Sequence, residues 1–220
     1  MLLKEITLQT ISIKALFNFY RNILELPVTF IDEKKICVTA GASELIFEEA
    51  GNGKDPFYHF AFNIPANKMN EAVEWLKNKV ELIWLEEYKS FVADFRNWKA
   101  KSVYFYDDAG NILELIARVD VGNEQSEPFS SEQFLNVSEI GLVIKGENFN
   151  SLANEILDKY KLCYFPKQPP LPHFRAIGDD EGLFIMVPEK RNWYATDKAS
   201  GIFSIKILFI NGGELRELKM

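Results

Sequence analysis

The chain has 220 residues, of which 47% are hydrophobic, and its 25 basic side chains face 32 acidic ones for a net charge of −7. That apolar share supplies a packed core and excludes a disordered or low-complexity chain. The basic residues are not clustered, which excludes the electrostatic footprint of a nucleic-acid binder. No run approaches the roughly 20 apolar residues that a membrane-crossing helix needs. The start of the chain lacks the apolar stretch of a secretory signal. The two cysteines, Cys37 and Cys163, are too few for a disulfide framework and read as small buried hydrophobes. A soluble, cytoplasmic protein is expected, with no membrane and no nucleic acid among its partners.

Residues 5–9 alternate like a half-buried strand, and residues 15–24 then carry apolar side chains at helical spacing. Residues 28–48 read as three short strands broken at 32–35 and 41–43, and residues 52–56 as a turn. The same order restarts at His59: a strand over 59–64, a helix over 69–78, and strands near 82–85, 102–106 and 112–116. Residues 86–100 form a long aromatic stretch suited to covering something. A third copy opens at Glu139 with a strand over 139–144, a helix over 149–160 and strands near Cys163, Arg175 and Phe184. Residues 204–209 look like the start of a fourth copy.

The repeat is regular. The distances from Glu5 to Leu26, His59 to Leu82 and Glu139 to Leu162 are 21, 23 and 23 residues. The chain therefore divides into three βαβββ units and a fragment, an α+β arrangement. Residues 119–134 are polar, contain Gly and Pro and lack periodicity, which makes them the expected linker between domains over 1–118 and 135–220.

The segment Tyr104-Phe105-Tyr106-Asp107-Asp108-Ala109-Gly110-Asn111-Ile112-Leu113-Glu114-Leu115 resembles the closing strands of the vicinal oxygen chelate superfamily. That superfamily contains glyoxalases, bleomycin-resistance proteins and extradiol dioxygenases. Phe19-Tyr20-Arg21 and Tyr58-His59-Phe60-Ala61-Phe62 resemble its first helix and the strand opening its second module. The resemblance implies paired βαβββ modules that form a curved mixed sheet around a cleft, with ligand positions on the first and last strands. Carried over, those positions are Glu5, Phe47, His59 and Glu114, of which Phe47 cannot bind a metal. In the third copy and the fragment they fall on Glu139, Met186 and Ser204, so a metal centre is expected in the first domain alone.

If the units stack as equivalent modules, Glu5, His59 and Glu114 point into one cavity. They would hold a divalent Fe, Mn, Ni or Zn ion. The resemblance then implies a metal-dependent enzyme of the glyoxalase/dioxygenase type, acting on a small molecule with vicinal oxygens. Glu5 or Glu114 would move protons in a lyase or isomerase reaction. Having only two histidines argues against extradiol ring cleavage. The alternative is a non-catalytic small-molecule binder of the bleomycin-resistance kind that uses the same cleft, lined by Phe47, Trp98 and Tyr106. Glu139 reads as a surface or structural residue and His173 as a loop residue. Arg191 and Trp193 read either as lining the second domain or as a stacked surface pair. The strand edge left by the incomplete fourth unit suits pairing in a homodimer.

Overall fold

The computed structural model describes residues 1–51 and 55–220, so part of the turn expected at 52–56 lies outside the described residues. The first unit is β1 (Leu2–Thr10), α1 (Ile13–Asn18), β2 (Val28–Asp32), β3 (Lys35–Ala40) and β4 (Ser43–Glu49). Its helix widens into a π turn over Phe19–Ile23, and Phe19 and Tyr20 at the start of that turn are both buried. The second unit is β5 (His59–Ile64), α2 (Met69–Lys77), β6 (Val92–Phe95), β7 (Ala100–Tyr106) and β8 (Ile112–Arg118). The third is β9 (Asn136–Ile144), α3 (Phe149–Tyr160), β10 (Arg175–Asp179) and β11 (Gly182–Pro188). A hairpin of β12 (Ile205–Asn211) and β13 (Glu214–Lys219) follows.

Two expected strands differ. Residues 82 and 85 make only isolated bridges, and β6 lies inside the stretch expected to be a covering loop. In the third unit Tyr164 makes a single bridge to Ile177 where a strand near Cys163 was expected. Both cysteines are free, Cys37 half-buried and Cys163 exposed, so neither is the buried hydrophobe that its neighbours suggested.

The strands form two curved mixed sheets, and their order corrects the expected pairing of units. One sheet runs β13-β12-β1-β4-β3-β2 and the other β10-β11-β9-β5-β8-β7-β6. The first unit therefore pairs with the terminal hairpin, and the second with the third. Residues 1–118 do not close around a cleft of their own.

The reason lies in residues 119–134, which form a packed return instead of a tether. Phe129 and Phe134 are buried and meet Trp75 edge-on, while Ala66 and Asn67 bond to Asn123 and Gln125. That return delivers β9 antiparallel to β5. Gly41 (φ +56°) locks it to the first sheet, because a Cβ there would lie 2.1 Å from the Leu135 carbonyl oxygen.

The core fills the space between the sheets. Ile6, Leu8, Phe47 and Phe209 on one inner face meet Phe60, Leu115, Ile140 and Phe184 on the other, and none of them is exposed. Burying each such side chain contributes about 1.5–3 kcal/mol. The outer face of the second sheet is also covered, by loops carrying Trp98, Phe165, Trp193 and Tyr194. Among the described residues, no helix is long and apolar enough to cross a membrane.

Candidate metal centre

Alternation along β5, β8 and β9 decides which side chains reach the covered outer face. On β5, Phe60 and Phe62 point into the core, so His59 and Ala61 point outward. Ala61 pairs with Glu114 of β8 on one side and Glu139 of β9 on the other. The two glutamates thus flank an alanine whose side chain is too small to separate them. Between Ala61 and Phe62 the β5–β9 register shifts, leaving Ser138 as the extra residue of a β-bulge beside Glu139.

His59, Glu114 and Glu139 are all buried and offer ligand atoms within 4.8 Å of one another. His59 Nε2 lies 3.6 Å from a Glu114 carboxylate oxygen. Its Nδ1 is 3.1 Å from the Ile112 carbonyl oxygen and donates to it in the neutral tautomer, which leaves the Nε2 lone pair facing the carboxylates. Burial lowers the His59 pKa to about 4, so the ring is neutral at physiological pH. Trp193 packs 5.1 Å from the His59 ring, and Gly141 makes room for it: a Cβ there would meet Trp193 Cη2 at 2.4 Å.

The carboxylates are short of positive charge. Burial raises the pKa of Glu114, and the charge of Glu139 raises it further. Burial also raises Glu139, opposed by Arg118. Arg118 is itself buried, pairs with Glu139, donates from Nε to Asn63 Oδ1 at 3.2 Å and lies 3.5 Å from Asp180. Asp180 is held by Lys167 at 2.8 Å, so Arg118 is the one cation for both glutamates; its charge lowers the Glu114 pKa but does not cancel the rise from burial and Glu139. A proton or a cation is needed there.

The cleft over these residues is a cavity of about 250 Å³ walled by Phe95, Trp98, Tyr104, Phe174, Trp193 and Tyr194. Of the residues expected from sequence, it brings together His59, Glu114 and Trp98. Glu5 stands on the other sheet, 3.5 Å from Lys206, and is not in the cluster. Phe47 is a core residue stacked on Tyr20, and Tyr106 is partly exposed beside a shallower groove. Phe47 and Met186 both point into the core. The register of Glu114, two residues beyond the opening position, falls instead on Ile46 and Ile185. A slip of one residue changes the face of a strand.

Glu139, expected from sequence to be a surface or structural residue because it has no ligating partner in its own unit, is buried within the cluster. The cluster is assembled from two units, with His59 and Glu114 from the second and Glu139 from the third, so it is not confined to residues 1–118. The signal available in sequence was an acidic residue directly before the apolar run Ile140-Gly141-Leu142-Val143-Ile144.

By sequence, the chain matches no protein-family model and no curated protein. By structure, it is similar to a protein of Bacillus subtilis subsp. subtilis str. 168 described as a candidate dioxygenase, at 14% identity and TM-score 0.56. That match covers 100% of this chain and 84% of the other. Two further structures match about half of the chain. One is a glyoxalase/bleomycin resistance protein/dioxygenase from Nocardioides (18% identity, TM-score 0.44, covering 58% of this chain and 89% of that one). The other is the fosfomycin resistance protein FosX of Listeria monocytogenes, complexed with Mn(II) and 1S,2S-dihydroxypropylphosphonic acid (21% identity, TM-score 0.40, covering 54% and 90%). The likeness to the Bacillus subtilis structure over the whole chain is one of fold, two curved mixed sheets built from βαβββ units.

Proposed function

We propose that the cleft on the second sheet is the centre of a metal-dependent enzyme that acts on a small molecule with vicinal oxygens, with His59, Glu114 and Glu139 as the ligands. The observation that carries this reading is the donor set. It comprises one neutral imidazole with its free nitrogen turned inward and two buried carboxylates that share one guanidinium. An N,O,O set of this kind suits Fe(II), Mn(II), Ni(II) or Zn(II). When bound, a divalent ion would act as a Lewis acid toward a substrate oxygen.

The chain's own groups have separate tasks. The Ile112 carbonyl fixes the His59 tautomer, and Arg118 holds the Glu139 carboxylate in place. Glu114, ionised once a cation offsets its neighbour's charge, would take a proton from a substrate carbon and return it. Tyr104, held as the neutral phenol by burial and by the two glutamates, can donate a hydrogen bond beside it. Trp98 and Trp193 limit the access of water to the inner end.

A second reading is non-catalytic binding of a small molecule in the same cleft. It is favoured by the aromatic walls and by the Arg118–Glu139 pair, which already compensates one carboxylate. Elemental analysis of tag-free protein purified without chelator separates the two. One divalent transition metal per chain, lost in His59→Ala, supports the enzyme. Absence of metal, with no uptake on adding Mn(II) or Zn(II), leaves the binder.

A further inference from the structure

The mouth of the cavity holds a cation that the metal reading does not use. Arg191 lines the cavity and is the sole lysine or arginine that does so among the described residues. Its guanidinium lies 5.6 Å over the Phe174 ring, and its one hydrogen bond is a long 3.4 Å contact from Nη1 to the neighbouring Asn192 carbonyl. It makes no ion pair among the described residues. Every other charged group on the cavity wall, Glu114 and Glu139, sits at the inner end with His59. Burial without a compensating anion lowers the Arg191 pKa, the mark of a half-desolvated charge. Arg175, by contrast, also lies over a phenylalanine but is tied to Asn150 at 2.8 Å.

We propose that Arg191 is the anion anchor of this cleft, so that its ligand is a small aromatic anion. The ring would lie between the aromatic walls with its carboxylate or phosphate group on the guanidinium. At about 250 Å³ the cavity is below the range that encloses drug-sized ligands, which limits the occupant to a ring or two. A guanidinium with free donors and one face stacked on an aromatic ring presents a planar fork to an oxyanion. Arg118 and Lys167 approach Trp98 and Glu87 accepts from the Tyr194 hydroxyl, but none of these three lines the cavity, which leaves Arg191 as the cation that a ligand there would meet. The inference rests on the reading of this cleft as the ligand site, and does not depend on a metal being bound.

The test uses the full chain in the presence of chelator, with the fluorescence of the cavity tryptophans as the readout. Benzoate and phenyl phosphate are titrated against the neutral isostere benzamide. Benzoate, phenyl phosphate or both should bind at least about tenfold more tightly than benzamide, and which of them does so identifies the anion. Arg191→Gln should abolish that preference, and Arg191→Lys should retain part of it. Arg191→Gln should keep the wild-type circular dichroism spectrum and thermal midpoint, which shows that the variant is folded whether or not a metal binds, and Mn(II) uptake measured separately reports on the metal reading. Equal binding of the anions and benzamide, an unchanged preference in Arg191→Gln, or no saturable binding of any probe at millimolar concentration would overturn the proposal.

Discussion

The two sheets place the same strand positions in opposite electrostatic circumstances. In the second sheet, the opening strand β5 and its two neighbours present His59, Glu114 and Glu139 on the covered outer face. The same register in the first sheet, read from β1 to β4 and β12, falls on Glu5, Ile46 and Lys206. There a lysine replaces a glutamate and an isoleucine replaces the other. The Glu5–Lys206 pair neutralises itself at 3.5 Å on a half-exposed face. One scaffold thus yields a self-balanced surface in one sheet and an unbalanced buried site in the other. What separates them is which units pair, and which outer face the loops cover.

The largest effects are expected from removing donors of the second sheet. His59→Ala, which removes the imidazole nitrogen, should lower divalent-metal affinity by about 100-fold or more. Glu114→Gln and Glu139→Gln should each lower it by at least about tenfold, measured by competition with a chelating dye. Retention of full affinity in Glu139→Gln would return the site to the first two units alone. The same experiment on Glu5→Gln should show no change.

The pH dependence sharpens the contrast next. Folded Glu114 keeps its proton to higher pH than unfolded Glu114, so its contribution is present in acid and lost as pH rises through its raised pKa. His59 runs the other way: its pKa falls from 6.5 to about 4, so stability is lost as pH drops through that interval, by at most about 3 kcal/mol. A bound cation would keep Glu114 ionised and remove the loss at high pH. The difference in thermal midpoint between metal-loaded and metal-free protein should therefore widen from pH 6 to pH 8, by roughly 1–3 kcal/mol equivalent. A constant difference would show that Glu114 is not a ligand.

Gly141→Ala should force Trp193 away from His59 and cost about 1–3 kcal/mol by overpacking, with a shift in tryptophan emission. The smallest effect belongs to the first sheet. Lys206→Gln breaks a half-exposed pair and should change stability by less than about 1 kcal/mol in a denaturant titration, with metal content unaltered.

Much of this architecture was legible in the residues because periodicity is a local property. The third helix lies over Phe149–Tyr160 where its apolar spacing puts it, and β5 opens at His59 as the alternation requires. His59 and Glu114 could be picked out because a repeated unit fixes their positions within a strand, and Trp98 because it stands in a long aromatic stretch suited to covering the cleft. Glu5 could be identified as an equivalent position by the same logic, but equivalence within a unit says nothing about which unit is its neighbour.

That choice was made by tertiary contacts. The buried Phe129 and Phe134 turn an apparently polar linker into the return that sets β9 against β5, and so bring Glu139 opposite Ala61. A bulge at Ser138 and a slip of one residue at Phe47 and Met186 then decide which side chains face the core and which face the cleft. Local sequence determines strand, helix and alternation, since these depend on near neighbours along the chain. The pairing of edges between distant units depends on packing summed over the whole core, and that sum placed the second carboxylate beside the histidine.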